Sequence, residues 1–139
     1  MRALIRTDNN YGSLVLRLAL GVMMLPHGLQ KTVSAFDGAG FSATMTSFQN
    51  MGFPWFLALL AIIAESLGAL GVLLGFLTRV AAFGIACVMA VAAWTVHWDK
   101  PFFSGEGIQL HILAVGIALA LMIQGGGALS IDRKLTHAS

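Results

Sequence analysis

The sequence predicts an all-α integral membrane protein, a four-helix bundle with both termini facing the cytoplasm and a short amphipathic interfacial helix between the first and second spans. Three observations carry that prediction. Hydrophobic residues make up 58% of the 139 and charged residues only 10%; the mean hydropathy is +0.84, more apolar surface than a water-soluble domain of this size can bury. Four apolar runs each approach the roughly 20 residues that cross a hydrocarbon core of about 30 Å. The basic residues outside those runs gather at alternate connections, the charge asymmetry that orients membrane proteins. The chain reads as one transmembrane domain, 1–139, with spans at about 12–29, 55–75, 79–98 and 108–124.

The first span follows Arg2 and Arg6 and could be mistaken for a signal peptide. It contains Arg17 and ends in Pro26-His27-Gly28-Leu29-Gln30-Lys31, with no small-residue cleavage pattern, so it reads as a retained helix. Residues 32–54 are too polar to span. Phe41, Met45, Phe48 and Met51 or Gly52 recur there at helical spacing among Ser, Thr, Gln and Asn, which predicts a helix lying on the outer surface. Pro54 suits the first turn of the second span, where its missing N–H costs nothing. The run Gly75-Phe76-Leu77-Thr78-Arg79 makes a tight turn into the third span, and Asp99–Gly107, with a Pro and two Gly, makes a turn-rich outer cap before the fourth.

With four spans both termini share one side with the 75–79 turn. That side collects Arg2, Arg6, Arg79, Arg133 and Lys134, against Lys31 and Lys100 on the other, which places both termini in the cytoplasm. Trp55, Trp98 and Phe102-Phe103 then fall at the outer headgroup boundary, where aromatic rings concentrate. The eight Lys and Arg are spread along the chain and leave a formal charge of +2, so membrane lipid is the expected partner and nucleic acid is not. The single cysteine, Cys87, lies within an apolar run and reads as a buried small filler, with no disulfide framework or thiolate cluster.

Ionisable residues inside a span are costly, so they turn to the bundle interior and find partners there. On the first helix Arg17, Gly21, Met24, Gly28 and Lys31 share an arc, with His27 at its edge. On the second, Ala61, Glu65, Gly68, Ala69 and Val72 share a face, and Glu65 lies near the bilayer centre. An Arg17–Glu65 pair is the expected contact. It either fixes helix register or leaves Glu65 as a proton acceptor.

The third helix carries Arg79 at its inner end and His97 at its outer end on one face, with Ala82, Ala86, Ala90 and Ala93 between them. The fourth carries His111 near its outer end, in line with Val115, Ala118 and Met122. His27, His97 and His111 are thus expected together in the outer third of the bundle. With Glu65 and Arg17 they form a candidate catalytic set for proton exchange with a lipophilic carbonyl compound such as a quinone head group. No HxxxH or ExxH spacing supports a metal site, and none is assigned.

The ordered motifs Arg17-Leu18-Ala19-Leu20-Gly21, His27-Gly28-Leu29-Gln30-Lys31, Glu65-Ser66-Leu67-Gly68-Ala69-Leu70-Gly71, Gly75-Phe76-Leu77-Thr78-Arg79, His97 and Gly125-Gly126-Gly127-Ala128-Leu129-Ser130-Ile131-Asp132 resemble those of the DoxX family over nearly the whole chain. The resemblance implies a small four-helix protein of the bacterial inner membrane. It also implies kinship with the membrane subunit of a thiosulfate:quinone oxidoreductase and with partners of thiol or oxidative-stress enzymes. By motif position Arg17, His27, Lys31, Glu65, Arg79 and Asp132 correspond to the family's recurrent polar residues. Arg17, Lys31 and Gln109 are the implied ligand-binding set. Gln109 stands where relatives often carry a Glu, so proton chemistry at that position would fall to His111. Arg79 and Asp132 are expected to pair as a structural clasp.

Three functions follow in order. The first is a membrane component of a quinone-linked redox system, an oxidoreductase subunit whose only cofactor in the chain would be bound quinone. No GxGxxG, CxxCH or cysteine set for flavin, haem or iron–sulfur appears in the sequence. The second is a non-catalytic accessory subunit packing against a copy of itself or against another membrane or redox subunit. The third is a proton or small-solute pathway.

Overall fold

The computed structural model describes residues 2–103, 105 and 108–137, with only the backbone of Arg2. The predicted outer cap falls partly outside that description, at Ser104, Glu106 and Gly107. Among the described residues all regular structure is helical. The helices are α1 (Arg2–Ile5), α2 (Tyr11–Thr32), α3 (Gly40–Asn50), α4 (Trp55–Leu74), α5 (Thr78–Thr95), α6 (Gln109–Gln124) and α7 (Ile131–His137). Helices α2, α4 and α5 are long and apolar enough to cross a membrane, and α6 is apolar but shorter at 16 residues. The protein is an integral membrane four-helix bundle, as its composition predicts.

Local chemistry sets the helix ends. Asn10 caps α2 by accepting the Gly12 N–H at 2.7 Å. Pro54 precedes α4, and Gly75 ends it with φ of 65°, a left-handed conformation that costs glycine nothing and lets the Phe76 N–H reach the Gly71 carbonyl at 2.8 Å. Helix α5 stops at Thr95. His97 therefore lies past its end, in the following turn, and the expected single face running from Arg79 to His97 does not form.

In the bundle α2 packs on α4, α4 on α5, α5 on α6 and α6 back on α2. Leu20, Met24, Ala69, Val72, Ile85 and Leu121 fill the centre. Val22, Leu67, Phe83 and Ile123 stay exposed on the outer faces, where lipid is their solvent. Cys87 is also exposed, so it is not the buried filler its apolar neighbours suggested.

The predicted amphipathic helix exists as α3, reached through a 3-10 turn at Ala35–Asp37. Met45 packs against Ala58 and Ile62 of α4, with Phe48 beside them, while Phe41 and Met51 remain exposed. The helix therefore docks on the half of α4 nearest Trp55, in the space left where α2 ends. Helices α1 and α7 meet at the opposite end. There the Thr136 hydroxyl donates to the Ile5 carbonyl at 3.0 Å and Arg133 donates to the Asn9 side chain at 2.7 Å.

Candidate functional site

Helices α2 and α4 run antiparallel and come into close backbone contact at Gly28. A Cβ there would lie 2.6 Å from the Glu65 carbonyl oxygen and 2.6 Å from Ser66 Cα, so glycine is what admits this crossing. One turn further along α2, Lys31 forms an ion pair with the Glu65 carboxylate. Helical side chains lean toward their own N-terminus. Lys31 thus leans back along α2 while Glu65 leans outward along α4, and the two converge.

This is the one salt bridge among the described residues, with Glu65 only 2% exposed and Lys31 28%. The Lys31 ammonium also lies 5.7 Å from the centroid of the Phe48 ring, a favourable cation–π placement. Beside it opens a cleft of about 320 Å³ lined by Gln30, Lys31, Gly38, Ala39, Ala43, Thr44, Ser47 and Phe48. A half-buried ammonium, two hydroxyls and an aromatic ring thus line one opening, with the buried Glu65 carboxylate behind the ammonium.

The expected Arg17–Glu65 pair is therefore absent. The levels of the antiparallel helices explain it: Gly21 faces Ala69 and Leu73, and Gly28 faces Glu65. Leu73 is roughly 12 Å beyond Glu65 along α4 at 1.5 Å per residue. Arg17 leans toward the N-terminus of α2 and so away from Glu65. Its guanidinium, 1% exposed, donates to the carbonyls of Ala128 at 3.0 Å, Leu129 at 3.4 Å and Leu73 at 3.5 Å. It fastens the connection after α6 beneath the bundle.

The Arg79–Asp132 clasp is likewise not formed. The Asp132 carboxylate accepts the backbone N–H of Leu77 at 2.7 Å and of Thr78 at 2.9 Å, and the Thr78 hydroxyl at 2.7 Å. It caps α5 from another part of the chain, satisfying amides that have no intrahelical partner. Arg79 donates instead to the carbonyls of Met122 at 2.9 Å and Arg6 at 3.2 Å. Around these two residues the sequence reading overlooked Thr7, Ser13, Gln124 and Ser130. Ser13 donates to the Gln124 side chain at 2.8 Å, Thr7 accepts the Gly127 N–H at 2.7 Å, and Ser130 donates to the Gly127 carbonyl at 2.8 Å. A run of small polar residues beside a Gly triplet was the available signal.

The three histidines do not assemble as one cluster. His27 is exposed, its Nδ1 3.0 Å from the Met23 carbonyl one turn back, beside the Pro26 interruption. His97 and His111 do meet, with ring centroids 4.2 Å apart. Gln109, in the first turn of α6, donates to the Phe102 carbonyl and steadies the preceding connection. Among the described residues no three His, Cys, Asp or Glu side chains are placed to hold a metal ion together.

The family model described as DoxX matches residues 12–98, the segment that supplies Lys31, Phe48 and Glu65. The chain is similar to "Inner membrane protein YqjF" of Escherichia coli (strain K12), at 32% identity over 89% of this chain and 92% of that protein. It is also similar to "Putative oxidoreductase CatD" of Bacillus subtilis (strain 168), at 30% identity over 87% of this chain and 84% of that protein. No solved structure matches. With a family model spanning more than half of the chain and a 32% identical relative matched along nearly its whole length, the protein belongs to the DoxX family.

Proposed function

We propose that this protein is an inner-membrane component of a quinone-linked redox system, and that Lys31, Glu65 and Phe48 form its ligand site. The observation that carries the reading is the buried Glu65 carboxylate tied to a Lys31 ammonium that opens on an aromatic-edged cleft. The printed names of two relatives, "Inner membrane protein YqjF" and "Putative oxidoreductase CatD", support the location and the reaction class.

The chemistry follows from the groups present. A quinone head group is planar and apolar with two carbonyl oxygens, so it suits a site with an aromatic ring and a few convergent donors. The Lys31 ammonium donates to a carbonyl or developing oxyanion. Glu65 compensates the ammonium in the absence of ligand and takes or returns a proton as the head group changes charge. Reduction of a quinone to a quinol requires two electrons and two protons. In this reading a thiol or sulfur oxidoreductase partner supplies the electrons, and this chain binds the head group and handles protons.

Binding of decylubiquinone to the full chain in nanodiscs tests the reading. Lys31→Met and Glu65→Gln are expected to weaken binding by at least about tenfold, the effect of about 1.4 kcal/mol. Unchanged binding in both variants, with the bundle intact, would overturn it. That result would favour an accessory subunit, a reading supported by the Arg17 and Asp132 networks, which are spent wholly on holding the chain together.

A further inference from the structure

Helices α5 and α6 bring together two imidazoles that the Lys31–Glu65 site does not use. His97 lies in the turn after α5 and His111 in the first turns of α6; both are half-buried at the end of the bundle opposite the chain termini. Their rings stand 4.2 Å apart at an interplanar angle of 39°. We propose that His97 and His111 form a two-imidazole binding site for a divalent transition-metal ion of the copper, nickel or zinc class.

The His97 ring is set up for this role. Its Nδ1 lies 3.1 Å from the Ala92 carbonyl, and a carbonyl only accepts, so Nδ1 carries the proton and Nε2 presents its lone pair. An imidazole fixed through one nitrogen by a backbone carbonyl is the usual support of a metal-binding histidine.

The spacing is also suitable. Two imidazoles bound through nitrogen at about 2.0–2.1 Å to one ion hold their ring centroids roughly 4.5–5 Å apart, slightly more than the 4.2 Å between these rings, which a modest side-chain rotation opens. Neutral imidazole suits copper, nickel and zinc, and the general affinity order places copper(II) first. Two protein ligands leave positions for water or an incoming donor. No short-range ligand motif announces the pair, because His97 and His111 are joined only by the fold of the α5–α6 connection.

Equilibrium dialysis of the full chain in detergent, after chelator treatment, against copper(II), nickel(II) and zinc(II) tests the proposal. One copper per chain is expected, with copper held more tightly than nickel or zinc. His97→Gln and His111→Gln should each weaken copper binding by at least about tenfold, the lower range for disturbing such a site, and the double variant should do little more. His27→Gln and His137→Gln should leave it unchanged. Copper should also quench tryptophan emission, since Trp98 follows His97 in the chain and its ring lies 4.8 Å from that of Trp94. Should a His97 variant fail to fold, paramagnetic resonance of the wild-type copper complex decides: coupling to two imidazole nitrogens upholds the site. Undiminished binding in a folded double variant, or loss on changing His137 alone, overturns it.

Discussion

Lys31 and Glu65 meet because α2 and α4 are antiparallel and each side chain leans toward the N-terminus of its own helix, which closes the gap between positions one turn apart in level. Gly28 supplies the close approach that makes the contact short enough. Pair, crossing and cleft form one unit, and each part can be perturbed separately.

Breaking the pair from either side should destabilise the bundle more than removing both charges. Lys31→Met or Glu65→Gln alone should cost about 3 kcal/mol, the lower end for a buried pair, because Lys31 is 28% exposed. The Lys31→Met/Glu65→Leu double variant should recover most of that. Reversible unfolding in mixed micelles measures the cycle; purely additive losses would contradict a coupled pair.

Glycine substitutions should act in opposite directions on two helices. Gly28→Ala forces a Cβ against the Glu65 carbonyl oxygen and should cost about 1–3 kcal/mol by overpacking. Gly116→Ala on α6 meets nothing within 4 Å and should stabilise by up to about 1 kcal/mol through helix propensity. Melting temperatures of the two variants suffice as the readout.

Asp132 and Arg79 should behave independently. Asp132→Ala removes the acceptor for two backbone amides and the Thr78 hydroxyl, a loss of about 1.5–3 kcal/mol for bonds to a charged group. Combining it with Arg79→Gln should give a sum within about 0.5 kcal/mol of additivity. A larger coupling energy would restore the clasp between them.

Arg17 should resist conservative replacement. Its guanidinium reaches three carbonyls on two segments, a spread that the single ammonium of lysine cannot reproduce. Arg17→Lys should therefore lose about 1.5–3 kcal/mol, and limited proteolysis of intact vesicles should show earlier cleavage after Gln124. Equal protease resistance would argue that the connection holds itself.

Orientation is open to a direct measurement. The terminal end carries Arg6, Arg79, Arg133 and Lys134, and α1 contacts α7 there, so both termini are expected in the cytoplasm. A reporter fused after His137 should fluoresce in the cytoplasm and show no periplasmic phosphatase activity.

Much of the architecture was written in the sequence because bilayer thickness converts directly into helix length and composition into helix exposure. On α2 Arg17, Gly21, Met24 and Gly28, and on α4 Glu65, Gly68, Ala69 and Val72, are buried as the helical period requires, while Lys31 and Ala61 at the ends of these faces are only partly buried. The existence of α3 was legible from its apolar spacing, but its docking on Ala58 and Ile62 was not.

What the sequence determined by itself, then, was which faces of α2 and α4 turn inward: burial there depends on local period and on the cost of charge in lipid. Which inward charge meets which was decided only by tertiary structure. Depth along a span made Arg17 a reasonable partner for Glu65, yet helix level and side-chain lean gave Glu65 to Lys31 and sent Arg17 to the carbonyls of Leu73, Ala128 and Leu129. In the same way Asp132 went to the amides that open α5, and His97 found His111 across a turn. Pairing depends on distances between segments far apart in the chain, and those are fixed only when the helices pack.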